Sequence, residues 1–332
     1  MMSDQHNVLV TFSPPPEVLQ TLGQELGGIA TITVLPELEN RQRTRALTAA
    51  DAVLAWGPAS ELRGPDEAEQ LASTRLIQLL SAGVNHVPFN WFPRGVPLAS
   101  NAGAYSEPMA EHVLAMALAL LKRLPQNHAA LARGVFERSV LNRSLRGSVV
   151  GILGFGGIGQ ATARVFSALG ARVFAVNRSG RTSERVEWIG TPKDIDRLLE
   201  ESTIVVIALP LTQHTRGLIG ARELSLMKPD AILVNVARGP LIDEGALFAH
   251  LQRAPAFSVG LDTWWQERSP FAPRYPFLGL PNVLGSPHAS ARTVGALSDA
   301  ARSAAQNIKR ALRGEPVRHR VDPAEYADAS AP

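Results

Sequence analysis

The feature that most restricts this chain is a glycine loop, Gly154-Phe155-Gly156-Gly157-Ile158-Gly159, set between an apolar run at 149–153 and a stretch of helical periodicity. Glycines at that spacing say little alone. A strand before them, a helix opening inside them and a second strand after them, here 172–176, are the context of a dinucleotide-binding turn. Each glycine then has a task. Gly154 permits the tight turn, Gly156 lets the backbone approach a pyrophosphate, and Gly159 lets the helix pack close to the strand. The helix is predicted over 157–169, with Ile158, Ala161, Val165 and Leu169 on one face and Gly170 as its stop. Its unsatisfied N–H groups and the positive end of its dipole suit phosphates. The loop thus predicts an α/β fold with a parallel sheet and a dinucleotide held by residues 154 to 159.

The rest of the chain keeps the same alternation. Apolar runs at 7–12, 51–56 and 76–80 read as buried strands. A run at 96–100 reads as an edge strand or strand start, because Pro97 cannot donate to a ladder. Runs at 204–209, 231–236, 256–261 and 282–285 supply further strands. Helices are predicted from Pro14–16 to 26, over 106–122, from Thr191-Pro192 to 201, over 243–252 and over 293–312. Ser106 is expected to cap the helix it opens. Apolar positions nearly all round that helix suit burial between two bodies of the protein.

A length of 332 residues, with 45% hydrophobic and 19% charged, points to two domains and a large core. The absence of cysteine removes disulfides, thiolate nucleophiles, iron–sulfur clusters and cysteine-ligated zinc, and no metal is expected. The first seven residues carry no apolar stretch, and the longest apolar run, 113–121, is too short to span a bilayer. The expectation is a soluble, cytoplasmic protein. The net charge is only +3 and the basic residues are scattered. Their densest group, 310–320, lacks interleaved aromatics and reads as a solvated face, so neither nucleic acid nor membrane is an expected partner.

At the end of the strand 172–176, an acidic residue would bond the adenine-ribose hydroxyls and repel a 2′-phosphate. This chain has Asn177-Arg178-Ser179 there, eighteen positions after Gly159. Arg178 can grip a phosphate bidentately, Ser179 can donate to it, and Arg181 can add charge. The reading is NADP(H) in preference to NAD(H), with NAD(H) still open.

Three later segments place ionisable residues just past strands: Ala237-Arg238-Gly239, Asp262-Thr263-Trp264-Trp265-Gln266-Glu267 and Ser286-Pro287-His288. Ligands of open α/β sheets bind at the carboxyl ends of strands. Reduction of a keto acid needs a cation for the carboxylate and carbonyl, a proton donor, and a group that keeps that donor charged. Arg238 fits the first, His288 the second and Glu267 the third, because a paired carboxylate favours the imidazolium. Singly, each has a bland reading as a structural histidine, a surface ion pair or a loop carboxylate.

The stretches GILGFGGIG, ALPLTQHTRGLIG, LVNVARGPLIDEGAL, GLDTWWQE and SPHAS, in that order, resemble the D-isomer-specific 2-hydroxyacid dehydrogenase family, which includes glyoxylate/hydroxypyruvate reductases. Weaker matches are LLSAGVNHV, NAGAYSEPMAEHVL and GEPVRHRVDP. The resemblance implies two doubly wound domains: a Rossmann dinucleotide-binding domain at 102–290, inserted in a flavodoxin-like substrate/catalytic domain made of 1–101 and 291–332. It implies a catalytic Arg238, Glu267 and His288, and substrate carboxylate binding by the amides of Ala82, Gly83 and Val84 beside Arg238. Asp262 would hold the nicotinamide carboxamide, and Leu209, Pro210, Val236 and Ala237 would join the cofactor site. Asn101 and Glu111 match family positions without a derivable role. The family also implies a homodimer, through helices flanking the dinucleotide domain, and the D-alcohol.

Two departures stand out. Trp264-Trp265 replace the aromatic or acidic residues usual after the aspartate, and either reshape the site or simply pack. The related formate dehydrogenases carry an amide where this chain has Glu267, which argues against formate and for a proton-transferring hydroxy-acid mechanism. Two rivals stay open: a dehydrogenase of the same fold for another substrate such as phosphite, and a corepressor-like protein that senses dinucleotide without catalysis.

Overall fold

Runs such as Val8-Leu9-Val10, Ala52–Ala55 and Ile204–Ile207 are buried along their whole length. Unbroken burial without alternation is what a parallel sheet covered by helices on both faces demands. The computed structural model describes residues 5–326, and two such sheets organise them. The chain divides into two compact units: residues up to Tyr105 with those from Val294 onward, and Ser106–Thr293.

The first unit holds β1 (His6–Val10), β2 (Ala30–Val34), β3 (Ala52–Ala55), β4 (Leu76–Leu79) and β5 (Leu98–Ala99). All pairs are parallel, in the order β2-β1-β3-β4-β5, which is the flavodoxin-like winding. Strand β2 has no counterpart among the sequence expectations, because its five residues follow Gly27-Gly28 and only two of them are buried. Strand β5 is shorter than the run at 96–100: Pro97 offers only its carbonyl, to Ile77 N at 2.9 Å. The helix Ala296–Leu312 packs on Pro16–Leu26. From it the buried Asn307 amide donates to Gln78 Oε1 (2.7 Å) and to Arg318 O (3.0 Å), pinning the last segment to β4.

The second unit holds β6 (Val149–Leu153), β7 (Arg172–Val176), β8 (Trp188–Gly190), β9 (Ile204–Ile207), β10 (Ile232–Asn235), β11 (Ser258–Leu261) and β12 (Val283–Gly285). Its order is β12-β11-β10-β9-β6-β7-β8, again parallel throughout. The winding reverses between β6 and β9, so the crevice at their carboxyl ends is the place for a ligand. The three-residue β8 is a second strand absent from the sequence expectations.

The helix Ser106–Leu121 lies against the helix Gly157–Ala168 and against β10 and β11, where Gly260 leaves room for Met116. Ser106 does not cap it. It is the first helical residue, and its buried hydroxyl finds no hydrogen-bond partner among the described residues. Asp243 does cap its helix, accepting from Ala246 N at 2.7 Å. No helix among the described residues is long and apolar enough to cross a membrane.

Candidate active site

The glycine loop leaves β6 at the point where the winding reverses. Gly154 has φ +94°, and a Cβ there would lie 2.5 Å from the Ala208 carbonyl oxygen after β9. A Cβ on Gly159 would lie 2.2 Å from Gly154 O. Both positions therefore exclude a side chain, one for the turn and one for the close approach of helix to strand. Gly156 is different: among the described residues nothing lies within 4 Å of its would-be Cβ. Open space beside a backbone at a helix N-terminus is what a phosphate requires. Phe155 is buried and can offer only its backbone, and Leu209 packs against Gly154.

At the end of β7, Asn177 is occupied by its own loop. Its Oδ1 accepts from Ser179 N (3.1 Å) and Gly180 N (2.7 Å), and its Nδ2 donates to Arg181 O (2.8 Å). The residue expected in the ribose position thus shapes the loop on which Arg178 and Ser179 are exposed.

Strands β10, β11 and β12 are neighbours and parallel, so Arg238, Asp262 with Glu267, and His288 leave the same sheet edge. His288 and Glu267 meet: Nδ1 lies 2.8 Å from Oε2. A carboxylate only accepts, so Nδ1 carries the hydrogen and Nε2 is the ring atom left for other chemistry. Glu267 Oε1 accepts from Trp264 N at 2.9 Å. Burial works to raise the Glu267 pKa, but the bonds from His288 and the Trp264 amide and the positive charge of Arg238 outweigh it. The carboxyl is held below its ordinary range.

Arg238 is brought near by a close loop contact. A Cβ on Gly239 would fall 2.3 Å from the Trp264 carbonyl carbon, so glycine alone lets these two loops touch. Asn235 stiffens the turn, donating to Arg238 O (2.8 Å) and accepting from Ala237 N (3.0 Å).

Asp262 is fully buried, and its carboxylate clamps the His288 loop. Oδ1 accepts from Ser286 Oγ (2.5 Å) and Ala289 N (2.8 Å), Oδ2 accepts from Ser290 N (3.0 Å), and its backbone oxygen accepts from His288 N (2.7 Å). Burial tends to raise its pKa, but the bonds from Ser286, Ser290 and Ala289 prevail and lower it. His288 itself has φ +52°, a left-handed conformation costly for a residue with a Cβ, so these tethers hold it against local preference.

The two tryptophans pack. Trp264 Nε1 donates to Ser286 O (2.9 Å) and its ring meets Phe271 edge-on at 5.0 Å. Trp265 Nε1 donates to Ile242 O (2.8 Å) and its ring stacks on Phe277 at 5.4 Å. Each indole ties two carboxyl-edge loops together.

Residues 82–84 follow β4 in the first unit. Asn101 braces the start of this loop: its N–H donates to Ser81 O (2.9 Å) and its Nδ2 to Leu80 O (3.1 Å) and Ala300 O (2.9 Å). Tyr105 Oη donates to the same Leu80 carbonyl at 2.9 Å. Glu111 is exposed on its helix. Next to it, His112 was missed by sequence reasoning, although its Nε2 lies 3.0 Å from Ser286 Oγ. A polar ring on a helix otherwise rich in buried apolar residues was the available signal.

The residues present fit a dinucleotide: an open cradle at Gly156, and a buried Thr263 hydroxyl beside Asp262 that has no hydrogen-bond partner among the described residues. Residues 114–290 match the model of the D-isomer specific 2-hydroxyacid dehydrogenase, NAD binding domain. The chain is similar to the glyoxylate reductase of Aeropyrum pernix, 32% identical over 259 residues that cover 75% of this chain and 77% of that one. It is also 32% identical to the D-3-phosphoglycerate dehydrogenase of Archaeoglobus fulgidus over 75% of this chain but 47% of that protein, and so spans about half its length. Among solved structures, it is similar to an NADPH-dependent glyoxylate/hydroxypyruvate reductase from Sinorhizobium meliloti in complex with NADP and sulfate. There the TM-score is 0.79 at 26% identity, covering 97% of this chain and 100% of that chain.

Proposed function

The chain belongs to the D-isomer specific 2-hydroxyacid dehydrogenase family, and from that premise we propose that it reduces a small 2-keto acid to the D-2-hydroxy acid with NADPH. The observation that carries this reading is the His288–Glu267 pair, 2.8 Å apart, at the strand edge that also bears Arg238. A nicotinamide dinucleotide, when bound, supplies the hydride that the 2-carbon accepts. Arg238 binds the carboxylate and polarises the carbonyl. His288 Nε2 donates the proton to the carbonyl oxygen. Glu267, ionised and hydrogen-bonded to Nδ1, orients the ring and stabilises its cation. The amides of Ala82, Gly83 and Val84 are proposed carboxylate donors.

The glycine loop and the residues Leu209, Pro210, Val236 and Ala237 would hold the dinucleotide, and Asp262 would reach its carboxamide only while clamping the His288 loop. The choice of NADPH rests on exposed Arg178 and Ser179 where an acid would otherwise exclude a 2′-phosphate. A homodimer is proposed from the exposed Leu124, Leu131, Val135, Phe136, Val140 and Leu141 on and after the helix Leu124–Ala132.

The test is a spectrophotometric panel of NADPH and NADH against glyoxylate, hydroxypyruvate, pyruvate and longer or aromatic 2-keto acids. NADPH consumption with at least one small 2-keto acid is expected, and Arg178→Ala should erode the advantage of NADPH over NADH. Dinucleotide binding without turnover on any member would favour the sensing role. Equal kcat/KM with both dinucleotides would remove the NADPH assignment.

A further inference from the structure

His112 stands on the helix Ser106–Leu121, away from the loops that carry Arg238, Glu267 and His288. Its Nε2 nevertheless lies 3.0 Å from Ser286 Oγ and 3.6 Å from Asp262 Oδ1. The direction of these bonds follows from proton counting. Asp262 Oδ1 accepts from Ser286 Oγ at 2.5 Å, which uses the only hydroxyl hydrogen of Ser286. Ser286 Oγ can then only accept from His112, so Nε2 must carry a hydrogen and donate it.

The chain of contacts ends at the proposed proton donor. Asp262 receives the amides of Ala289 and Ser290 on its carboxylate and that of His288 on its backbone oxygen. His288 sits at φ +52°, so its loop needs holding from outside. The helix is fixed in turn, with Met109, Val113, Met116 and Leu120 buried around the same stretch.

We propose that His112 is a positioning residue: its Nε2–H anchors Ser286 and Asp262 to the helix and thereby sets the place of His288. The kinetic consequence rests on the reading of His288 as the proton donor. The structural consequence does not, and the experiment separates them.

Three variants are compared in the full-length protein: His112→Leu, which keeps bulk and loses the donor; His112→Gln, which keeps an N–H donor; and Ser286→Ala, which cuts the same link without touching the helix. Amide hydrogen exchange over residues 286–292 is followed by mass spectrometry, and kcat and KM are measured with the best keto acid of the panel. Leu and Ala should speed exchange in this segment about tenfold or more and lower kcat by a similar factor with KM little changed, as for loss of one hydrogen bond to a charged network. Gln should restore both, and His112→Leu should add little on top of Ser286→Ala. Unchanged exchange in both Leu and Ala variants would overturn the proposal, as would a Gln variant no better than Leu, the pattern of a residue that only packs. If the wild-type protein turns over no keto acid, exchange alone decides the positioning role.

Discussion

His288 is held where its backbone would not go unaided: φ +52°, one bond from its amide to Asp262 and one from its ring to Glu267. The Glu267–His288 pair was legible in the sequence because both residues follow apolar runs that end at one sheet edge. The clamp by Asp262 was not, since two of its donors are the backbone amides of Ala289 and Ser290, which have no side-chain signature. Nor was the role of Asn177, whose amide is spent on its own loop.

Glu267 has its pKa lowered in the folded state, with burial opposing and the bonds from His288 and Trp264 prevailing. The sign follows: ionised Glu267 stabilises the fold above its unfolded-state pKa, and that contribution is lost as pH falls through the lowered value. Glu267→Gln should therefore unfold at lower temperature than wild type near neutrality, with the two melting curves converging in acid. A gap that persists in strong acid, where the carboxyl is protonated in both the folded and the unfolded chain, would show that the charge is not its source. The same variant should lose roughly tenfold or more in kcat, read in steady-state assays at neutral pH.

At the scale of elements, the site is made of loops leaving parallel strands, and their mutual contacts fix its geometry. The main strands and the long helices could be read from apolar runs and their stops. Strands β2 and β8 could not: β2 has only its two end residues buried and β8 has three residues with one buried, so neither presents an unbroken apolar run. Trp264 and Trp265 were visible but ambiguous, and only their partners Ser286 O and Ile242 O show that they brace loops.

Two glycines separate contact within the protein from the proposed contact with a dinucleotide. Gly239→Ala places a Cβ against the Trp264 backbone and should cost about 1–3 kcal/mol in urea unfolding while reducing kcat. Gly156→Ala meets open space, so it should leave unfolding nearly unchanged and weaken dinucleotide binding, measured by fluorescence titration. Equal destabilisation by both would contradict the division of roles.

At the scale of the whole molecule, two parallel sheets of different winding, β2-β1-β3-β4-β5 and β12-β11-β10-β9-β6-β7-β8, were foreshadowed by the repeated alternation of strand and helix. Which strand neighbours which is a long-range property that no local pattern carries. The exposed apolar segment around Phe136 and Leu141 belongs to this scale too. Light scattering should find a dimer, and Phe136→Ser with Leu141→Ser should shift it to monomer without loss of dinucleotide binding. A wild-type monomer at micromolar concentration would remove the assignment of that surface.

His288 is proposed to deliver a proton to a 2-keto acid from a site that binds the dinucleotide independently. The measurement that meets it most directly is kcat for NADPH-dependent reduction of the best keto acid, in wild type and in His288→Gln, alongside the NADPH dissociation constant of each. The expected result is a loss in kcat of about 10²–10⁴-fold with NADPH affinity preserved. A His288→Gln enzyme that turns over at the wild-type rate would contradict it.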